Sequence, residues 1–344
     1  MEENNKIEYY SPARVLSCNR IFNFVLGGRG IGKSFGWKDE IIKEFINKKW
    51  QFVYSRRYQI DIDKTAPYYF DDIAQKYPDH SFKYQGGIFY IDGEIAGYAI
   101  AVSQYIKLKS VSYPDVYTIL FDEFITENCD YIGGIKNPLL EPELCLNFYQ
   151  TIARGYNQPV RTNVKFVFIS NAVSINNPHF LYYDLDKKLI NGGKFILTDS
   201  ICLEIAESKS VKDTIENTQL GKLIKGTRYG NYSLNNEFYL DSNEFINNDI
   251  PKHCRYVFTI SYDKWTLGVW KDDNEGMYYI TEKYDPNCLI HYSLNNNSHK
   301  TNTILIQQNK NKSSVKLLKL AYETGFVRFQ NQRCKNILLT FLGL

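Results

Sequence analysis

Eight residues near the start of the chain, Gly27-Gly28-Arg29-Gly30-Ile31-Gly32-Lys33-Ser34, have the spacing G-x-x-x-x-G-K-[ST]. That spacing suits a loop that cradles nucleotide phosphates. A glycine-rich turn offers backbone N–H groups, the helix behind it contributes its positive end, and a lysine reaches the anion. The loop follows an apolar run, Ile21 to Leu26, that reads as a buried strand, and a helix-compatible segment follows it. Gly27, Gly28, Arg29, Gly30, Ile31, Gly32, Lys33 and Ser34 are therefore the expected phosphate-binding residues.

Transfer of a phosphoryl group to water needs three further parts. These are a carboxylate for magnesium, a group that activates the attacking water, and positive charge for the transition state. Ile119-Leu120-Phe121-Asp122-Glu123 offers the first two. Its apolar residues belong inside a sheet, and Asp122 then emerges at the carboxyl edge, where open α/β sheets bind ligands. Mg2+ is expected on the Ser34 hydroxyl and Asp122, with Glu123 as general base. Lys165 to Ile169 is another apolar strand, ending in Ser170-Asn171. Those two polar residues suit a γ-phosphate sensor and suit a helix cap or turn equally well. Candidates for the positive charge are Arg29, Arg56, Arg57, Lys107, Lys109, Arg154 and Arg161.

Several elements must position these groups. Ile41, Ile42, Phe45 and Ile46 recur at helical spacing, and Gln51 to Tyr54 reads as the next strand. Strand, loop, helix, strand implies a parallel sheet in an α/β domain. Tyr84 to Val102 reads as a small antiparallel hairpin insertion. From Asp199 to Pro251 the apolar pattern weakens, as in a linker subdomain. Tyr256–Ser261, Thr266–Trp270, Met277–Thr281 and Thr303–Gln307 then read as strands, with helices over Ser313–Tyr322 and Gln332–Leu342. The expected domains are thus 1–198, 199–251 and 252–344.

The chain has 344 residues, enough for more than one core, and a formal net charge of +3. The charge is uneven: residues 300–344 hold eight basic side chains against the single acid Glu323. That end is the basic one. The seven cysteines are scattered with no C-x-x-C, which gives no sign of a disulfide framework or zinc site. No signal-peptide pattern and no apolar run near the ~18 residues of a membrane span is present, so an intracellular protein without a membrane partner is expected.

Beyond these general features, Gly27–Ser34, Phe121-Asp122-Glu123-Phe124, Ser170-Asn171-Ala172-Val173-Ser174 and Gly268-Val269-Trp270 occur in a specific order and spacing. So do Arg20–Val25, Arg56-Arg57-Tyr58, Tyr90-Ile91-Asp92-Gly93, Gly221-Lys222-Leu223-Ile224 and Gly226-Thr227. With these motifs the chain resembles the DNA-packaging ATPases of small, short-tailed, protein-primed phages, from about Tyr10 to Phe341. The resemblance implies an ASCE P-loop ATPase domain with a mostly parallel sheet, related to large terminases and FtsK/HerA translocases. It also implies a C-terminal RNase H-like domain, a nuclease fold that has lost its cutting site. The implied activity is ATP-driven movement of double-stranded DNA through the portal (connector) protein into a preformed capsid. The implied assembly is a homo-oligomeric, pentameric ring, helped by a packaging RNA. It works in the host cytoplasm at the portal vertex and is absent from the mature virion.

By the same resemblance Lys33 and Ser34 hold phosphates and magnesium, Asp122 holds the metal, and Glu123 activates water. Arg154 is the implied arginine finger, acting on the neighbouring subunit's ATP, with Arg161 and Lys109 as alternatives. In the C-terminal domain Asp263 occupies a plausible metal-ligand position, whereas Asp272, Asp273 and Glu275 crowd one turn. Two-metal cleavage needs several carboxylates converging within about 4 Å. A terminase that still cuts, and a nucleic-acid-binding assembly factor using its P-loop as a switch, are the competing readings.

Overall fold

The computed structural model describes residues 7–343 apart from 109–110, 127–129, 135–136, 138, 156–158, 173, 176, 191, 228, 232–244, 248 and 307–311. Two compact units emerge, one of Met1–Gly133 with Pro138–Leu240, the other of Gly134–Asn137 with Asp241–Leu344.

The first unit is built on a nine-stranded sheet. Its strands are β1 (Phe22–Gly27), β2 (Gln51–Ser55), β3 (Phe82–Gln85), β4 (Ile88–Ile91), β5 (Glu94–Ala99), β6 (Val116–Asp122), β7 (Lys165–Asn171), β8 (Phe195–Leu197) and β9 (Ile201–Ala206). The spatial order is β3-β4-β5-β2-β6-β7-β1-β9-β8. The six central strands, β5 to β9 in that order, run parallel. Antiparallel β3, β4 and β8 close the two edges.

Near-continuous apolar strands are what a sheet covered on both faces requires. Phe22, Phe24, Phe121, Phe166 and Phe168 point to one face, and Val25, Leu120, Val167 and Ile169 to the other. The first face is covered by α4 (Leu140–Ile152) and α5 (Pro178–Tyr182) through Cys145, Phe148, Ile152 and Phe180. The second is covered by α2 (Lys33–Lys48) through Trp37, Ile41, Ile42 and Phe45, with the short α1 (Ala13–Ser17) contributing Val15. The α3 helix (Gln59–Thr65) follows β2. Stacked rings run across adjacent strands: Phe24 and Phe168 lie 4.5 Å apart, Phe166 and Phe168 4.2 Å.

One expectation is corrected here and one is met. The linker expected from residue 199 begins later, because Ile201–Ala206 is β9 and pairs in parallel with all of β1. Glu204 and Cys202, polar or small among apolar neighbours, dilute its hydrophobic signal. The antiparallel hairpin expected over 84–102 is present as β4 and β5, and β5 also joins the main sheet beside β2.

The second unit holds a six-stranded sheet of order β14-β13-β10-β11-β12-β15. Here β10 (Arg255–Tyr262), β11 (Trp265–Lys271) and β12 (Tyr278–Thr281) are antiparallel. The shorter β13 (His291–Ser293), β14 (Ile304–Leu305) and β15 (Val327–Phe329) add parallel pairings. Two helices, Ser313–Glu323 and Gln332–Leu342, contribute Val315, Leu318, Ile337, Leu338 and Phe341 to its buried interior. Arg333, counted in the basic tail, is 1% exposed and faces Glu282 at 3.6 Å. Arg328 donates to the Gly325 and Val327 carbonyls. The exposed basic surface of this tail is thus carried by lysines such as Lys300, Lys312 and Lys316.

Candidate active site

The glycine-rich loop leaves β1 at Gly27 and turns into α2 at Lys33. Gly32 caps α2 with φ 91°, a left-handed backbone that disfavours any residue with a Cβ. A Cβ there would also lie 3.2 Å from that of Tyr9, because the segment before α1 packs over the loop. The Tyr10 N–H donates to the Ile31 carbonyl at 2.8 Å.

Parallel register brings β1, β6 and β7 to a common carboxyl edge. A cavity of about 440 Å³ opens there, lined by Arg29, Gly30, Gly32, Lys33, Ser34, Phe35, Asp122, Glu123, Ser170 and Asn171. The sequence-predicted loop, acidic pair and polar strand end therefore meet at one place.

Lys33 is 7% exposed and its ammonium donates to the carbonyls of Gly27 (2.9 Å) and Gly28 (2.7 Å), with Asn171 Oδ1 at 3.4 Å. Burial, with nearby Arg29, pushes its pKa down to about 8 despite Asp122. The Asp122 carboxyl moves the other way. Burial raises it, and the attraction of Arg56 offsets that only in part. A hydroxyl and a carboxylate facing one cavity are hard oxygen donors, and a poorly compensated carboxylate favours an added cation, so the residues present fit Mg2+.

Glu123 stands just past the strand with φ 56° and its side chain 63% exposed. Arg56 bridges both acids, with Nη1 3.3 Å from Asp122 Oδ2 and Nη2 donating to Glu123 Oε2 at 2.7 Å. Ser170 and Asn171 divide the two roles that sequence left open. Asn171 faces Lys33 in the cavity, whereas the Ser170 hydroxyl donates to the Ile125 carbonyl at 3.2 Å and fastens the turn after Glu123.

The remaining cations separate by what they touch. Arg161 is a structural clamp: its guanidinium donates to the carbonyls of Pro114, Tyr113, Val116 and Ile152 at 2.6–2.9 Å. Those four bonds would have to break before it could reach a phosphate. Arg57 is buried against Glu141. Arg154 is exposed just beyond the end of α4 and is not among the residues lining the cavity. Lys107 is exposed at the end of the 3-10 helix Val102–Leu108, and Lys109 lies outside the described residues.

Comparison with known proteins gives this site a family. The model of the podovirus DNA encapsidation protein (Gp16) family matches residues 4–342. The chain belongs to this family. It is 40% identical to the DNA packaging protein of Bacillus phage phi29 over 335 residues, 97% of this chain and 96% of the relative. It superposes on a chain of the phi29 viral genome packaging motor assembly with TM-score 0.73 at 37% identity, covering 96% of this chain and 97% of that one. The N-terminal domain of the phi29 DNA packaging ATPase matches with TM-score 0.52 at 40% identity, covering 58% of this chain and 97% of the domain.

Among the described residues of this chain the acids of the second unit do not converge. Asp263 follows the last residue of β10, near the end of parallel β13. There its carboxylate accepts from the Asn295 amide at 3.2 and 3.3 Å and from Asn297 at 3.4 Å. Asp272 and Asp273 lie at the far end of the β10–β11 ladder, about 20 Å away by strand rise. The turn that these acids crowd holds a 2% exposed Asp272, which accepts from the N–H groups of Asn274 and Glu275. Among the described residues no group of three or more His, Cys, Asp or Glu is arranged to hold a metal.

Sequence reasoning missed Glu141 and His179, which are fully buried and hold Arg57 behind the acidic pair. A glutamate and a histidine inside an otherwise apolar stretch were the available signal.

Proposed function

We propose that this chain is an ATP-driven motor that moves double-stranded viral DNA through the portal into a preformed capsid, acting as a homo-oligomeric ring. The observation that carries the reading is the convergence of Lys33, Ser34, Asp122, Glu123 and Asn171 on one cavity, in a member of a DNA encapsidation family. The phosphate chain of ATP fits the loop from Gly27 to Ser34. The γ-phosphate end faces Asp122 and Glu123. Across Gly32 a second cavity of about 560 Å³, lined by Tyr9, Ser208, Asn217 and neighbours, offers room for the nucleoside.

In this reading Lys33 leaves its two carbonyls for phosphate oxygens. Glu123 takes the proton of the attacking water, and Asn171 orients the terminal phosphate. Ser34 and Asp122 would hold Mg2+, which would supply charge neutralisation at the phosphates. Arg154, outside its own cavity, serves as the finger for the next subunit's ATP. The portal, a packaging RNA and a pentameric count come from the family resemblance. The vestigial nuclease reading is supported by the amides that hold Asp263 in place of further carboxylates. The lysines of the tail suit phosphate contacts, which grip any sequence alike.

The decisive experiment mixes the purified protein with empty portal-bearing capsids, packaging RNA, DNA and ATP, and then adds DNase. DNA protection that requires both ATP and the capsid is the expected result. Protection that persists without ATP, or that never appears, overturns the motor reading.

A pH dependence also follows. With its pKa pushed down to about 8, Lys33 is already charged below that value and binds phosphate without taking up a proton. Above it, binding must recharge the lysine, so affinity falls as pH rises, by about tenfold per unit. Fluorescent-nucleotide titrations from pH 7 to 9.5 should bend near 8, and Lys33→Arg, which does not titrate there, should stay flat.

A further inference from the structure

Behind the acidic pair lies a buried charged cluster that the steps above leave unused. Arg57 is 5% exposed, and Glu141 and His179 are fully buried. Arg57 follows the end of β2, Glu141 sits in the first turn of α4, and His179 lies in α5. The guanidinium donates from Nε to Glu141 Oε2 at 2.6 Å and from Nη2 to Oε1 at 2.8 Å. His179 Nε2 lies 3.1 Å from Oε1, and the Ile132 N–H donates to Oε2 at 2.9 Å. Burial lowers the pKa of His179 despite Glu141, so its neutral ring donates from Nε2. Burial pushes the Glu141 carboxyl up, but the bonds from His179 and Arg57 outweigh it and keep the group ionised.

The other side of Arg57 faces the catalytic turn. Nη2 donates to the Phe124 carbonyl at 2.6 Å, and Nη1 reaches the Glu123 carbonyl at 3.4 Å. The next carbonyl, Ile125, is taken by Ser170. Three successive carbonyls of the turn are thus fixed from behind. Glu123 itself has φ 56°, a region that a residue with a Cβ occupies only where its surroundings hold it. A carboxylate whose backbone is pinned points in one direction, and catalytic geometry is lost with displacements of an ångström.

We propose that Arg57, Glu141 and His179 form a positioning cluster that holds the Glu123 backbone in its left-handed conformation and so aims its carboxylate at the attacking water. The cluster acts through Glu123 and touches no substrate. The proposal rests on Glu123 being the general base. It extends the site to α4 and α5, two helices that carry no phosphate-binding residue.

His179→Phe tests it cleanly. The ring lies among Phe24, Phe121, Phe124 and Phe168, with centroids 5.4–6.4 Å away, so a phenyl group fits the same space and removes only the bond to Glu141. The full-length protein should keep its Tm and its fluorescent-nucleotide Kd, while kcat for ATP falls about tenfold and KM stays put. His179→Gln, which restores an N–H donor, should recover most of that loss. Glu141→Gln is the second variant and should lower kcat further at unchanged Kd. An unchanged kcat in His179→Phe, or losses in both variants that merely track Tm and Kd, would overturn the proposal. Glu123→Gln run alongside separates the two ideas. If it leaves turnover intact, the reading of Glu123 fails. If it abolishes turnover while His179→Phe has no effect, the positioning role alone fails.

Discussion

Glu123→Gln is expected to lower ATP turnover by about 10³ while leaving nucleotide binding intact. The amide keeps the size and the reach of the side chain but cannot accept the proton of the attacking water. It also removes a negative charge beside the γ-phosphate, so nucleotide affinity should hold or rise. The contact to Arg56 at 2.7 Å survives as a bond to the amide oxygen, without its charge. Asp122 keeps its place at the end of β6, so the metal ligand is untouched. Phosphate release and fluorescent-nucleotide binding, measured on the same preparation, separate these effects. Turnover within tenfold of the wild type would remove Glu123 from the role of base.

Arg154→Ala is expected to silence the neighbouring subunit's site rather than its own. An arginine finger contributes about 10³–10⁵ to turnover, so one missing side chain is readily seen. The sharpest form mixes two dead variants. An Arg154→Ala subunit has an intact acidic pair but offers no finger, and a Glu123→Gln subunit offers a finger but cannot hydrolyse. In a ring with head-to-tail interfaces, random mixing at equal amounts should restore about a quarter of wild-type turnover. No recovery at all would mean that Arg154 serves its own subunit or none. Arg161 provides the contrast: its alanine variant should lose Tm first, because four backbone carbonyls between Tyr113 and Ile152 would lose their donor.

The nucleotide site was legible because its chemistry is local in sequence. A phosphate loop needs two glycines at fixed spacing with a lysine directly after the second, and an acid at a strand end needs only the strand before it. What escaped was pairing across distance. Arg56 and Arg57 are adjacent and chemically identical, yet one meets the acidic pair and the other meets Glu141, 84 positions later. Only the packing of α4 on the sheet separates them. The same limit applies to Ser170 and Asn171, whose side chains alternate between the two faces of one strand end. Strands β13 and β15 have three residues each, too few for a period to show. Strand β9 was hidden by Glu204, whose carboxylate accepts from the Tyr10 hydroxyl at 3.2 Å. The fold class needed none of this, since alternating apolar strands and helices suffice for a covered parallel sheet.

The amides around Asp263 bear on genome length. In the motor proposed above, cutting at Asp263 finds no support: amides hold its carboxylate, and among the described residues no group of three or more His, Cys, Asp or Glu is arranged to hold a metal. Under that reading a full capsid would not be released by trimming at an arbitrary point. The amount enclosed would then be set by where the DNA molecule itself stops.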